Sequence, residues 1–108
     1  MRSPVGFTVV HASVMVVDLH LPLPGSLKEK RAVITPIIEG ARRRHRVAAS
    51  ETAHQDRLRR SQLAFATVAS SEHGARETLD AVERFVWSFP EVEVVESWRR
   101  WFDDQEEP

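Results

Sequence analysis

The run Val14-Met15-Val16-Val17-Asp18-Leu19-His20-Leu21-Pro22-Leu23-Pro24-Gly25-Ser26-Leu27-Lys28-Glu29 decides the fold, because it holds a strand, the stop of that strand and the start of a helix. Alternate side chains of a strand point to opposite faces. Met15, Val17, Leu19 and Leu21 therefore make a wholly apolar face, and Val14, Val16, Asp18 and His20 a mixed one. This parity, in a valine-rich segment that begins at Phe7, predicts a strand over Phe7–Leu21 in a sheet covered on one side. Pro22 and Pro24 end it, since proline has no N–H to give to a ladder. Ser26 with Glu29 three residues later is a capping box, so a helix is expected to start at Leu27.

Outward from this run the pattern continues. Leu27, Ile34, Ile37, Ile38 and Ala41 recur at helical spacing and form the expected buried stripe, with a bend expected at Pro36 and a weakened interior at Gly40. Arg42, Arg43, Arg44 and His45 fall in the last turn, where cations complement the carbonyl end of the helix. Arg46–Ala53 alternates weakly, with Val47, Ala49 and Ala53 on one side, and predicts a short strand. After the polar link His54-Gln55-Asp56, Ser61–Ala69 places Leu63, Phe65 and Thr67 opposite Ala64, Ala66 and Val68, so the two segments form a hairpin. Ser71 caps a second helix over Glu72–Ser88, whose stripe is Ala75, Leu79, Val82, Phe85, Val86 and Phe89. Phe89-Pro90 stops it. Glu91–Trp101 is the last strand, with Val92, Val94 and Val95 inward and a bulge at the consecutive valines.

The order βαββαβ joins two right-handed β-α-β units through a hairpin. It predicts an α/β (α+β) ferredoxin-like sandwich, a four-stranded antiparallel sheet with two helices on one face. The 108 residues are expected to form one domain, with an ordered core over about residues 7–102 and disordered ends at Met1–Gly6 and Asp103–Pro108.

Composition narrows the chemistry. The chain has no cysteine, which excludes disulfides, thiolate metal sites and a cysteine nucleophile, and suits a reducing cytoplasm. His11, Asp18 and His20 interrupt the most apolar stretch, and Met1–Ser13 lacks the pattern of a secretory leader. A cytoplasmic protein with no membrane partner is expected. The formal net charge of −1 hides an uneven distribution. Residues 26–60 hold ten lysines and arginines against four acids, a net +6, whereas residues 61–108 hold four against eleven, a net −7. Such polarity fits a basic side for an anionic partner, or two solvated halves that attract each other.

Four blocks carry a resemblance: Val17-Asp18-Leu19-His20-Leu21-Pro22, Ser26-Leu27-Lys28-Glu29-Lys30-Arg31, His54-Gln55-Asp56 before a strand, and Pro90-Glu91-Val92-Glu93 after a helix. Together they resemble the YlxP-like bacterial family of unknown function over roughly residues 14–98. The resemblance implies a ferredoxin-like fold. It also implies an association with RNA or the ribosome, because genes of this family often lie among those for transcription termination, translation initiation and ribosome maturation. Leu58 and Ala64 stand where members often carry a tryptophan and a glycine.

In a ferredoxin-like sheet the end of the first strand, the start of the first helix and the hairpin turn share one end. That end gathers Ser26, Lys28, Lys30, Arg31, Arg57, Arg59 and Arg60 as a candidate site for a phosphate or an RNA backbone, helped by the N–H groups of the first helical turn. Asp18, His20, His54, Gln55 and Asp56 form a candidate polar site at the same end. The five histidines show no i, i+4 pair on a helix, and neither a metal nor another cofactor is expected. No nucleophile elbow, P-loop or dinucleotide fingerprint is present, so no catalytic residue is assigned. The predicted open face of the sheet, Val14, Val16, Asp18, His20, Gln62, Ala64, Ala66 and Val68, holds no aromatic for base stacking, though it suits a homodimer contact to which Trp98 and Trp101 could add. The expected function is therefore non-enzymatic binding of RNA or a ribosomal particle through the basic end. A protein-interaction module or homodimer is the alternative, and a small-molecule or metal-dependent enzyme the third reading.

Overall fold

Ladder pairing along the valine-rich first strand builds the sheet. In the computed structural model, which describes residues 10–103, β1 (His11–His20) pairs over its full length with β3 (Arg60–Ala69) on one side and β4 (Glu93–Asp103) on the other, both antiparallel. β2 (Ala48–Ala53) adds to the free side of β3, so the order is β2-β3-β1-β4. With α1 (Leu27–His45) and α2 (Glu72–Trp87) inserted, the chain runs βαββαβ, the ferredoxin-like α+β arrangement. Residues 7–9 of the expected first strand, and the ends expected to be disordered apart from Asp103, lie outside the described residues.

The apolar parity of β1 faces the helices. Met15, Leu19 and Leu21 are fully buried, and Leu63 and Phe65 of β3 meet them from the next strand. From above, α1 contributes Ile34, Ile37 and Ala41, and α2 contributes Leu79, Val82 and Val86. Phe85 lies across the helix pair at Gly40, where a Cβ would overlap the Phe85 ring, so the glycine allows the helices to close on each other. Phe89 packs edge-on against Phe85 with ring centroids 5.1 Å apart.

Ser26 and Ser71 cap the two helices as expected, their side chains accepting from the N–H groups of Glu29 and Gly74 at 3.1 and 3.0 Å. α1 runs unbroken through Pro36, because both Pro36 and Ala32, whose carbonyl loses its partner, lie on the exposed face. Arg46 departs from expectation. It sits in the left-handed region (φ 54°) as the C-cap of α1, its N–H donating to the Arg42 carbonyl at 3.2 Å, and so β2 starts two residues later at Ala48.

The last strand begins at Glu93, two residues later than expected, and needs two further corrections. The bulge is there, with Asp18 opposite Glu96 but Leu19 opposite Val94. It leaves Val95 unpaired and 61% exposed rather than inward. β4 also runs two residues past Trp101, which brings Phe102 opposite Ala12 on the open face. Trp98, opposite Val16, is on that face too, whereas Trp101 pairs with buried Ser13 and packs under the Arg76 guanidinium, 5.0 Å from its ring. The open face thus carries two aromatics, both on an edge strand.

These face assignments have a simple test by chemical denaturation. Phe65→Ala should lower stability by about 3–5 kcal/mol, because the ring is fully buried. Val68→Ala, three residues along the same strand but 71% exposed, should change it by less than about 0.5 kcal/mol.

Candidate functional site

β1 and β2 are both antiparallel to β3 and therefore run the same way, which brings the end of β1, the start of α1 and the β2–β3 turn together. The Leu21 N–H donates to the Arg59 carbonyl at 2.9 Å and fastens the two loops. Between them runs a shallow groove lined by Pro24, Gly25, Asp56, Arg57, Leu58, Arg59 and Arg60. The turn starts at His54, which adopts a left-handed backbone (φ 66°) and accepts the Arg57 N–H at 3.0 Å.

The expected basic cluster divides in two. Lys30 is not a surface cation; it is 2% exposed, and its ammonium donates to the His54 carbonyl at 2.6 Å and pairs with Glu51 Oε2 at 2.9 Å. Ser61 Oγ donates to the same Glu51 oxygen at 2.7 Å. The cause is position: Lys30 falls on the inward stripe of α1 with Ile34, Ile37 and Ala41, so its charge must find a partner inside. This pair lies beside a second depression, between α1 and β2, that Leu27, Arg31, Ile34, Ile38 and Gln55 help to line.

Lys28, Arg31, Arg57 and Arg59 are exposed and Arg60 is half-buried, and none of the five has an ionic partner among the described residues. Arg60 Nε is buried and meets no acceptor there. The helix start is less available than the capping box implied. Glu29 turns its carboxylate back onto the Gly25 N–H at 2.6 Å while Ser26 Oγ is held by the Glu29 N–H, so the chain's own anion stands where a phosphate was expected.

The candidate polar site is dispersed. Asp18 accepts from Gln62 Nε2 at 3.1 Å, and His20 Nδ1 lies 2.8 Å from Glu93 Oε1, both on the open face. Gln55 reaches the Glu51 carbonyl at 3.4 Å, His54 uses its carbonyl for Lys30, and Asp56 lines the groove. Among the described residues, no group of three or more His, Asp or Glu side chains is placed to hold a metal ion, and no helix is long and apolar enough to cross a membrane. Sequence reasoning missed Glu51, Ser61 and Glu93; Glu51 had a signal, since a lysine on a buried stripe calls for a carboxylate on the strand it faces.

A family model described as a protein of unknown function, DUF503, matches residues 12–99. The chain is also 38% identical over 78 residues to the uncharacterized protein YlxP of Bacillus subtilis, covering 72% of this chain and 85% of that protein.

Removing the Lys30 ammonium takes the ionic partner from Glu51, which keeps only the Ser61 hydroxyl, and one of two donors from the His54 carbonyl, which keeps the Arg57 N–H. Lys30→Ala should therefore cost about 3–5 kcal/mol in denaturant unfolding, while Lys28→Ala, two residues away on the exposed side, should cost less than about 0.5 kcal/mol.

Proposed function

The chain belongs to the DUF503 family of unknown function, so its reading rests on its own surface, and we propose that it is an RNA-binding accessory factor of a ribosomal particle that grips phosphates through its basic end. One observation carries this reading. Five cations without ionic partners among the described residues gather at one end of the sheet, and three of them, Arg57, Arg59 and Arg60, share a groove. Arginine forks match phosphate oxygens two at a time, and Arg57 and Arg59 are exposed along the groove.

Base stacking on the sheet is not the proposed mode. Stacking sheets use aromatics of the two central strands. Here the central strands β1 and β3 offer Val14, Val16, Ala64 and Ala66 to the open face, and Trp98 and Phe102 stand on the edge strand β4. Binding through phosphates alone is strongly salt-dependent and nearly indifferent to sequence.

Fluorescence anisotropy with a single-stranded RNA oligonucleotide tests this. Affinity should fall steeply with salt. The variant Lys28→Ala, Arg31→Ala, Arg57→Ala, Arg59→Ala should bind at least about tenfold more weakly, with a salt slope shallower by about 0.7 for each phosphate that is no longer neutralised. Arg76→Ala with Arg84→Ala, in the acidic half, should match the parent. A parent that binds no RNA at about 50 mM salt, or a quadruple variant that binds as well as the parent, would refute the proposal.

A further inference from the structure

The two edges of the sheet are treated differently. β2 is six residues long, has a register shift between Glu51 and Ala53, and has two of its carbonyls occupied by side chains: Ala49 by the Arg42 guanidinium at 2.7 Å and Glu51 by Gln55 at 3.4 Å. Short, bulged and covered edges resist pairing with another chain. β4 is eleven residues long and regular after its bulge near Val95. Ser13 reaches the Arg100 carbonyl from β1, the paired side of β4. Its exposed side chains include Val95, Trp98 and Phe102.

We propose that β4 pairs antiparallel with β4 of a second copy of this chain about a two-fold axis at Trp98, making one continuous eight-stranded sheet. The charges select both occupant and register. Glu96 and Arg100 flank Trp98 on the open face, both exposed and both without an ionic partner among the described residues. Four residues apart on a strand, they are about 13 Å from each other and cannot pair within one chain. Across a two-fold at Trp98, each Arg100 lies directly opposite the other copy's Glu96 and Trp98 faces Trp98, all on the open face and all on the regular side of the bulge. Moving the axis one residue to Arg99 would set two arginines against each other, which the pairing rules disfavour. The pairing uses neither the groove nor the cations of the basic end, so it stands apart from the RNA proposal.

Sedimentation of the full chain should show a concentration-dependent dimer. Glu96→Arg and Arg100→Glu should each raise its dissociation constant at least about tenfold. The double variant Glu96→Arg, Arg100→Glu should recover the parent value, which damage to the fold would not allow. Oxidative cross-linking locates the interface, since the chain has no cysteine of its own. Trp98→Cys should form an intermolecular disulfide. Val16→Cys should not, because edge pairing holds the two β1 strands about 14 Å apart. A monomer at every accessible concentration, a double variant that stays dissociated, or a cross-link at position 16 without one at 98 would each overturn the proposal.

Discussion

The buried pairing of Lys30 with Glu51 holds the functional end of the molecule in shape. A single ammonium joins three pieces of chain: the first turns of α1, which carry it; β2, which supplies the carboxylate; and the β2–β3 turn, whose His54 carbonyl it binds. Ser61 of β3 donates to the same carboxylate, so a fourth element is held by the same node. An ammonium taken out of water costs several kcal/mol unless its charge and donors are met, and here they are met by partners fixed in the ladder and the turn. The arginines that follow His54 in the turn thereby inherit their positions from a lysine on a different element.

Formal charge is a coarse guide to this surface, and pairing refines it. In the acidic half, Arg99 is held by Asp80 and Glu83 across the β4–α2 contact, and Arg76 by Glu72 and the Trp101 ring. These cations serve internal packing. At the opposite end Lys28, Arg31, Arg57, Arg59 and Arg60 have no such commitments among the described residues. The difference between the two halves therefore lies in how many cations are left over, which a sum over residues does not report.

Much of the architecture was legible in the chain because local and tertiary demands agree. The parity of Met15, Val17, Leu19 and Leu21 set the inward face of β1, and the Ser26 and Ser71 caps set both helix starts. What was not legible came from conflicts. Lys30 sits three residues after Leu27 and four before Ile34, on the apolar stripe itself, and its charge concealed its burial. Val95 looked like its valine neighbours, yet one unpaired residue in a ladder turns a side chain from one face to the other. The polar residues Asp18 and His20 share a strand with the basic end but are claimed sideways by Gln62 and Glu93, and no spacing along the chain foretells a partner 44 or 73 residues away.

Gly40 has a bearing on how this domain can change over time. The ring of Phe85 fills the space that any side chain at position 40 would need, and that ring is also flanked by Phe89, by His45 at 5.5 Å and by the Arg44 guanidinium at 5.4 Å. Positions 40 and 85 are thus two halves of one volume. A larger residue on α1 is admissible in the company of a smaller one on α2, and neither helix is free to vary its side of the crossing alone. Inheritance at this crossing acts on the pair, so relatives that have lost the glycine should be found to have lost the aromatic ring as well.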